Sequence, residues 1–214
     1  IGFKPPLYKQ RNEKIVEIVK SFKDLTKIID LGCGECRLLR SVKKLDRIEQ
    51  IIGIDCNKEI LEDNFYSLKP LNFQYLIPRS NPLTINIFHA DFLKTDLSHL
   101  RSSNQAVILS EVIEHLNEND LPRLVKVIFY EINPDIVLIS TPNADFNICF
   151  NFNKSGIKFR HFDHKFEWTR AEFSNWCNGI VSRYAYNVVY DGVGLPPVNH
   201  VSVGYCTQIA IFKK

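Results

Sequence analysis

A chain of 214 residues, 45% of them apolar, holds enough hydrophobic material for one sizeable core, so a single domain spanning residues 1–214 is expected. A net charge of +3 gives no bulk electrostatic reason to bind a polyanion, and no apolar run approaches the ~18 residues that a membrane-spanning helix needs. Six cysteines behind an N-terminus with no signal-peptide core fit a reducing, cytoplasmic setting and argue against a disulfide framework. Methionine is absent, including an initiator, so the first residue is not expected to be a natural start.

After Pro5-Pro6 the pattern predicts a helix from about Gln10 to Phe22. Short β-rich runs then alternate with helical or looping segments: Ile28 to Leu31, Ile51 to Ile54, Ile85 to Phe88, Ala106 to Leu109, Ile136 to Ile139, Val188 to Tyr190 and Gln208 to Phe212. Seven strands with intervening helices predict an α/β sheet. The last two runs are joined without a clear helix, which favours an antiparallel pair and one reversed strand at the end of an otherwise parallel sheet.

The first strand candidate leads through Asp30 and Leu31 into Gly32-Cys33-Gly34, a tight turn where the crevice beyond the strand ends can take a nucleotide. The dinucleotide fingerprint would place a third glycine where Arg37 stands, so a nucleoside cofactor without a pyrophosphate fits better. Asp55 closes the second strand about 20 residues later, at the spacing from which a carboxylate accepts both ribose hydroxyl hydrogens. Asp91, after the third strand, is a candidate contact to an adenine amino group. Cys33 and Cys36 make a C-x-x-C spacing, but no second pair follows to complete a zinc site. Local charge at Lys43-Lys44 and Arg160-His161 is expected to be ordinary solvated surface.

Glu111-Val112-Ile113-Glu114-His115 follows the fourth strand and, read as a helix, brings two carboxylates and an imidazole side by side. Oxygen and imidazole ligands without thiolate suit magnesium, manganese or cobalt better than structural zinc.

With D-L-G-C-G and G-I-D in place, the chain resembles the class I S-adenosylmethionine-dependent methyltransferases, which implies a Rossmann-like seven-stranded sheet with a reversed last strand. Further motifs narrow the resemblance: Phe3-Lys4-Pro5-Pro6-Leu7-Tyr8, Glu111 to Leu116, Ser140-Thr141-Pro142-Asn143, Asp163-His164-Lys165-Phe166-Glu167-Trp168 and Gly192-Val193-Gly194. Together they resemble the small-RNA 3′-terminal 2′-O-methyltransferases of the Hua enhancer family. That resemblance implies a divalent cation held by Glu111, Glu114, His115 and His164, and an adenosyl group held by Asp30, Gly32, Cys33, Gly34, Asp55 and Asp91. It gives no ligand role to His89 or His161. There is no room for the double-stranded-RNA-binding modules of plant members, so the chain is similar to the shorter animal type. This implies a monomer acting on single-stranded guide RNAs carried by a Piwi-class protein. The rival expectation is a noncatalytic RNA-end-binding module that keeps the fold, whose signature would be a lost cofactor acid or cation ligand. The sequence lacks neither.

Overall fold

The computed structural model describes residues 2–70, 76, 79–150 and 159–214. Its strands form where apolar β-branched residues run together: β1 (Lys27–Leu31), β2 (Gln50–Asp55), β3 (Thr84–His89), β4 (Gln105–Ser110), β5 (Ile136–Pro142), β6 (Asn187–Val193) and β7 (Thr207–Lys213). They join in one seven-stranded sheet in the order β3-β2-β1-β4-β5-β7-β6. The first five are mutually parallel, and β7 runs antiparallel to both β5 and β6. The reversed strand is the last in the chain, as expected, but it lies between β5 and β6 and not at the sheet edge. β6 also extends past its predicted end, since Asp191 and Gly192 pair with Ile209 and Gln208 although they interrupt the apolar pattern.

Side chains alternate across a strand, so β1 feeds two cores. Ile29 and Leu31 pack with Val107, Leu109, Val137 and Ile139 on one face, while Ile28 packs with Ile51, Ala106, Ile108 and Leu138 on the other. The second face is covered by α1 (Leu7–Ser21) and α2 (Arg37–Val42). α1 starts directly after Pro6, three residues before its predicted start, and buries Ile15, Ile18 and Val19 at one-face helical spacing. The first face is covered by α4 (Leu121–Lys126), whose winding widens over Val127–Ile132, and by α5 (Arg170–Val181). α3 (Lys58–Asn64) follows β2. No helix among the described residues is long and apolar enough to cross a membrane.

β1 and β4 are neighbours, with β2 on one side and β5 on the other, so the strand order reverses between them. Loops leaving the carboxyl ends of such strands diverge and open a crevice for ligands. The D-L-G-C-G loop leaves β1 there and the E-x-x-E-H segment leaves β4.

Candidate cofactor and cation site

The loop after β1 needs three left-handed residues in five: Gly32 (φ 80°), Gly34 (φ 45°) and Cys36 (φ 56°). A Cβ on Gly32 would stand 2.6 Å from Cγ2 of Val112, so the loop lies directly against the turn after β4. A Cβ on Gly34 would meet nothing within 4 Å, which leaves open space over that backbone. Asp55 holds the loop in place. Its Oδ2 accepts from Gly34 N at 2.8 Å and its Oδ1 from Asn57 N at 2.8 Å. Asn57 caps α3 by accepting from Ile60 N. Each Asp55 oxygen keeps a second lone pair, so the carboxylate can still accept from a ribose diol.

Asp30 is buried, and its Oδ1 has no hydrogen-bond partner. Burial, then Cys36 and the charge of Asp55, pushes its carboxyl up to about 8. The thiols of Cys33 and Cys36 hydrogen-bond each other, which drives Cys33 up, with burial adding to the effect, and Cys36 down. Both are buried free thiols in the wall of the loop. Asp91 is engaged in its own turn: Oδ1 accepts from Leu93 N at 2.9 Å, and Oδ2 is 2.8 Å from Lys94 Nζ. The ion pair and the backbone bonds hold its carboxyl below the usual range. The open glycine backbone, the unpartnered Asp30 oxygen and the spare lone pairs of Asp55 fit an adenosyl group.

The segment after β4 is not the helix that its spacing predicts. Glu111 takes the left-handed conformation (φ 57°), and Ile113–His115 forms a single 3₁₀ turn that ends in extended Leu116. Ile113 is fully buried and anchors the turn, Glu114 beside it is equally buried, and His115 is partly exposed. Glu111 is not among the residues whose ligand atoms cluster within 4.8 Å of one another. Its backbone N–H donates to Ser140 O (3.0 Å) and Oγ (3.2 Å). Its Oε1 accepts from Ser140 Oγ at 3.1 Å, and its Oε2 is 3.5 Å from Arg11 Nη1 on α1.

Glu114 is completely buried, with Oε2 accepting from Thr141 Oγ1 at 3.0 Å and Oε1 left without a partner. Burial, together with the charge of Glu111, raises its carboxyl well above the ordinary range. The backbone carbonyl of Glu114 accepts from Lys165 N at 2.7 Å, which brings the D-H-K-F-E-W segment over the turn. The His115 and His164 rings then meet edge-on, with centroids 4.9 Å apart. Burial, then His164, lowers the pKa of His115, whose Nδ1 is 3.1 Å from Asp163 Oδ2. One ligand atom each from Glu114, His115 and His164 lies within 4.8 Å of the others. A buried carboxylate oxygen without a donor is costly unless something positive meets it, so this donor set fits a divalent cation.

Several neighbours are given no site role by the linear pattern, although Ser140 and Thr141 stand in one of the quoted motifs. Thr141, Ser140 and Arg11 hold the two glutamates, and the His161 ring stands 5.6 Å from that of His164. Arg160 is not solvated surface. Its guanidinium is largely buried and donates to Asn147 Oδ1 and to the carbonyls of Cys206 and Asn143. Lys43 likewise spends its ammonium on the carbonyls of Ser67, Leu68 and Lys69.

No family model matches the chain. It is 39% identical over 214 residues to a rat protein named Small RNA 2′-O-methyltransferase, a match that covers 100% of this chain and 52% of that one. The chain thus spans about half the length of the curated relatives it matches. Among solved structures it is similar to small RNA methyltransferase HEN1, with a TM-score of 0.84, 31% identity and coverage of 99% of this chain and 26% of that one. It is also similar to the methyltransferase domain of a bacterial Hen1, with a TM-score of 0.76, 34% identity and coverage of 96% of this chain and 97% of that one.

Proposed function

The chain belongs to the small-RNA 2′-O-methyltransferase family and has the class I S-adenosylmethionine-dependent fold, and from that premise we propose that it methylates the 2′-hydroxyl of the 3′-terminal nucleotide of small single-stranded RNAs of the Piwi-associated kind. Such a product has a protected 3′ end. The observation that carries the reading is the convergence of Glu114, His115 and His164, with an unpartnered buried oxygen on Glu114, beside a glycine loop that touches the same turn through Gly32 and Val112.

In this reading Asp30, Gly32, Cys33, Gly34 and Asp55 hold the adenosyl group, with Asp91 at the adenine edge. Glu114, His115 and His164 hold magnesium, manganese or cobalt, and Glu111, held by Ser140 and Arg11 outside that cluster, is the fourth ligand. S-adenosylmethionine supplies the methyl group, and a divalent cation supplies Lewis-acid polarisation of a ribose hydroxyl. The residues of the β1 and β4 loops orient donor and acceptor toward each other, and holding reactants in line supplies much of the rate of a displacement. The family resemblance further supports a Piwi-class protein as the carrier of the RNA, action as a monomer and a cytoplasmic location.

The test is transfer from labelled S-adenosylmethionine to a short single-stranded RNA, with and without divalent cation, followed by mapping of the methylated position. Labelling of the terminal 2′-oxygen that disappears on chelation is expected. Full activity in exhaustively chelated protein would remove the cation from the proposal. Substrates ending in 3′-deoxy or 3′-phosphate should react poorly under single-turnover conditions, where slow product release cannot mask chemistry. Equal rates at all ends would refute recognition of the vicinal diol.

A further inference from the structure

We propose that Glu167 is a positioning residue: it fixes the proton of His164 on Nδ1 and so keeps Nε2 as the lone-pair nitrogen available to a cation. The inference rests on the cation reading of the Glu114–His115–His164 cluster and adds a residue outside it.

His164 Nδ1 lies 2.6 Å from Glu167 Oε1. An ionised carboxylate only accepts, so a neutral imidazole in this contact must carry its hydrogen on Nδ1. The remaining lone pair then sits on Nε2, because the hydrogen bond made by one ring nitrogen decides the role of the other. Carboxylates behind ligating histidines commonly act in this way, setting the tautomer and the ring orientation.

Glu167 is itself rigidly placed. Its side chain is 1% exposed, Oε1 also accepts from Arg160 N at 2.7 Å, and Oε2 accepts from Asn147 Nδ2 at 2.6 Å. The Arg160 guanidinium, 3.9 Å away, offsets its charge and is anchored in turn by Asn143 O, Asn147 Oδ1 and Cys206 O. Asn143 follows β5 and Cys206 precedes β7, so the orientation of His164 is referred to the sheet itself. A purely structural Glu167 would need its bonds to Arg160 and Asn147 but would not govern where the His164 proton resides.

Nitrogen-15 NMR of the metal-free protein reads the His164 tautomer, Mn²⁺ titration by electron paramagnetic resonance reads the cation affinity, and thermal melting reports folding. Wild type should show His164 protonated at Nδ1. Glu167→Ala should lose that preference and bind Mn²⁺ about 10- to 100-fold more weakly. Glu167→Gln retains an accepting oxygen and should recover the tautomer and part of the affinity. A folded Glu167→Ala with unchanged tautomer and unchanged Mn²⁺ affinity would overturn the proposal. If that variant does not fold, a wild-type His164 protonated at Nε2 overturns it equally. Wild type that binds no Mn²⁺ yet shows Nδ1–H supports the Glu167–His164 contact and defeats the cation reading instead.

Discussion

Asp30 shows how a single buried group ties the fold to the crevice. Its carboxyl is pushed up to about 8 from an ordinary 3.8, by burial first, so the native state keeps a proton that the unfolded state has released. Between about pH 4 and pH 8 the unfolded chain therefore binds fewer protons, and the contribution of Asp30 to stability falls as pH rises through that window. Asn cannot titrate. In the absence of cofactor, Asp30→Asn should gain on wild type by up to about 1.4 kcal/mol per pH unit across the window, with no further change above it. Urea unfolding of both proteins at pH 5 and pH 7.5 reads the difference, and parallel stability curves would show that Asp30 is ionised in the native state.

The loop after β1 and the turn after β4 meet at Gly32 and Val112, and the two glycines of that loop do different work. Gly32→Ala meets both a left-handed backbone and a 2.6 Å contact with Val112, so it should destabilise the fold by about 1–3 kcal/mol. Gly34→Ala meets only the backbone cost, but its methyl group would enter the open space over the loop, so its larger effect should be on S-adenosylmethionine affinity. Chemical denaturation and calorimetry on both variants separate the effects, and equal losses in both measurements would show that the loop has no such division. The strands were legible because unbroken apolar runs leave few alternatives, and the glycine loop because residue type and spacing act locally. The E-x-x-E-H segment was legible as chemistry but not as geometry: its three-and-four spacing is shared by a helix and by a single turn, and nothing in the residue type marks Glu111 as left-handed. Glu167 stood in a quoted motif and Arg160 in a charged pair, but their partnership with Asn147 was not legible, because bonds between residues 13 and 20 apart in irregular chain follow no fixed spacing.

At the scale of the whole molecule, the two halves of the crevice hang from different parts of the sheet. Gly34 follows β1 and Asp55 ends β2, whereas Glu114 follows β4 and rests on Thr141 of β5, and His164 reaches the same point on the segment braced by Arg160. A reaction assembled across such a junction should let each half be disabled without the other. Asp55→Ala leaves the Gly34 amide without its acceptor and removes the candidate ribose partner, so it should weaken S-adenosylmethionine binding by roughly 1–3 kcal/mol while Mn²⁺ affinity stays near wild type. His164→Ala should do the reverse, removing a cation ligand while cofactor affinity is retained. Both should lose methyl transfer, since transfer needs both halves aligned. Measuring the two affinities on the two variants gives four values, and the expected pattern is a loss in each variant's own half only. A Mn²⁺ defect in Asp55→Ala, or a cofactor defect in His164→Ala, would mean that the Gly32–Val112 contact couples the halves into one cooperative site.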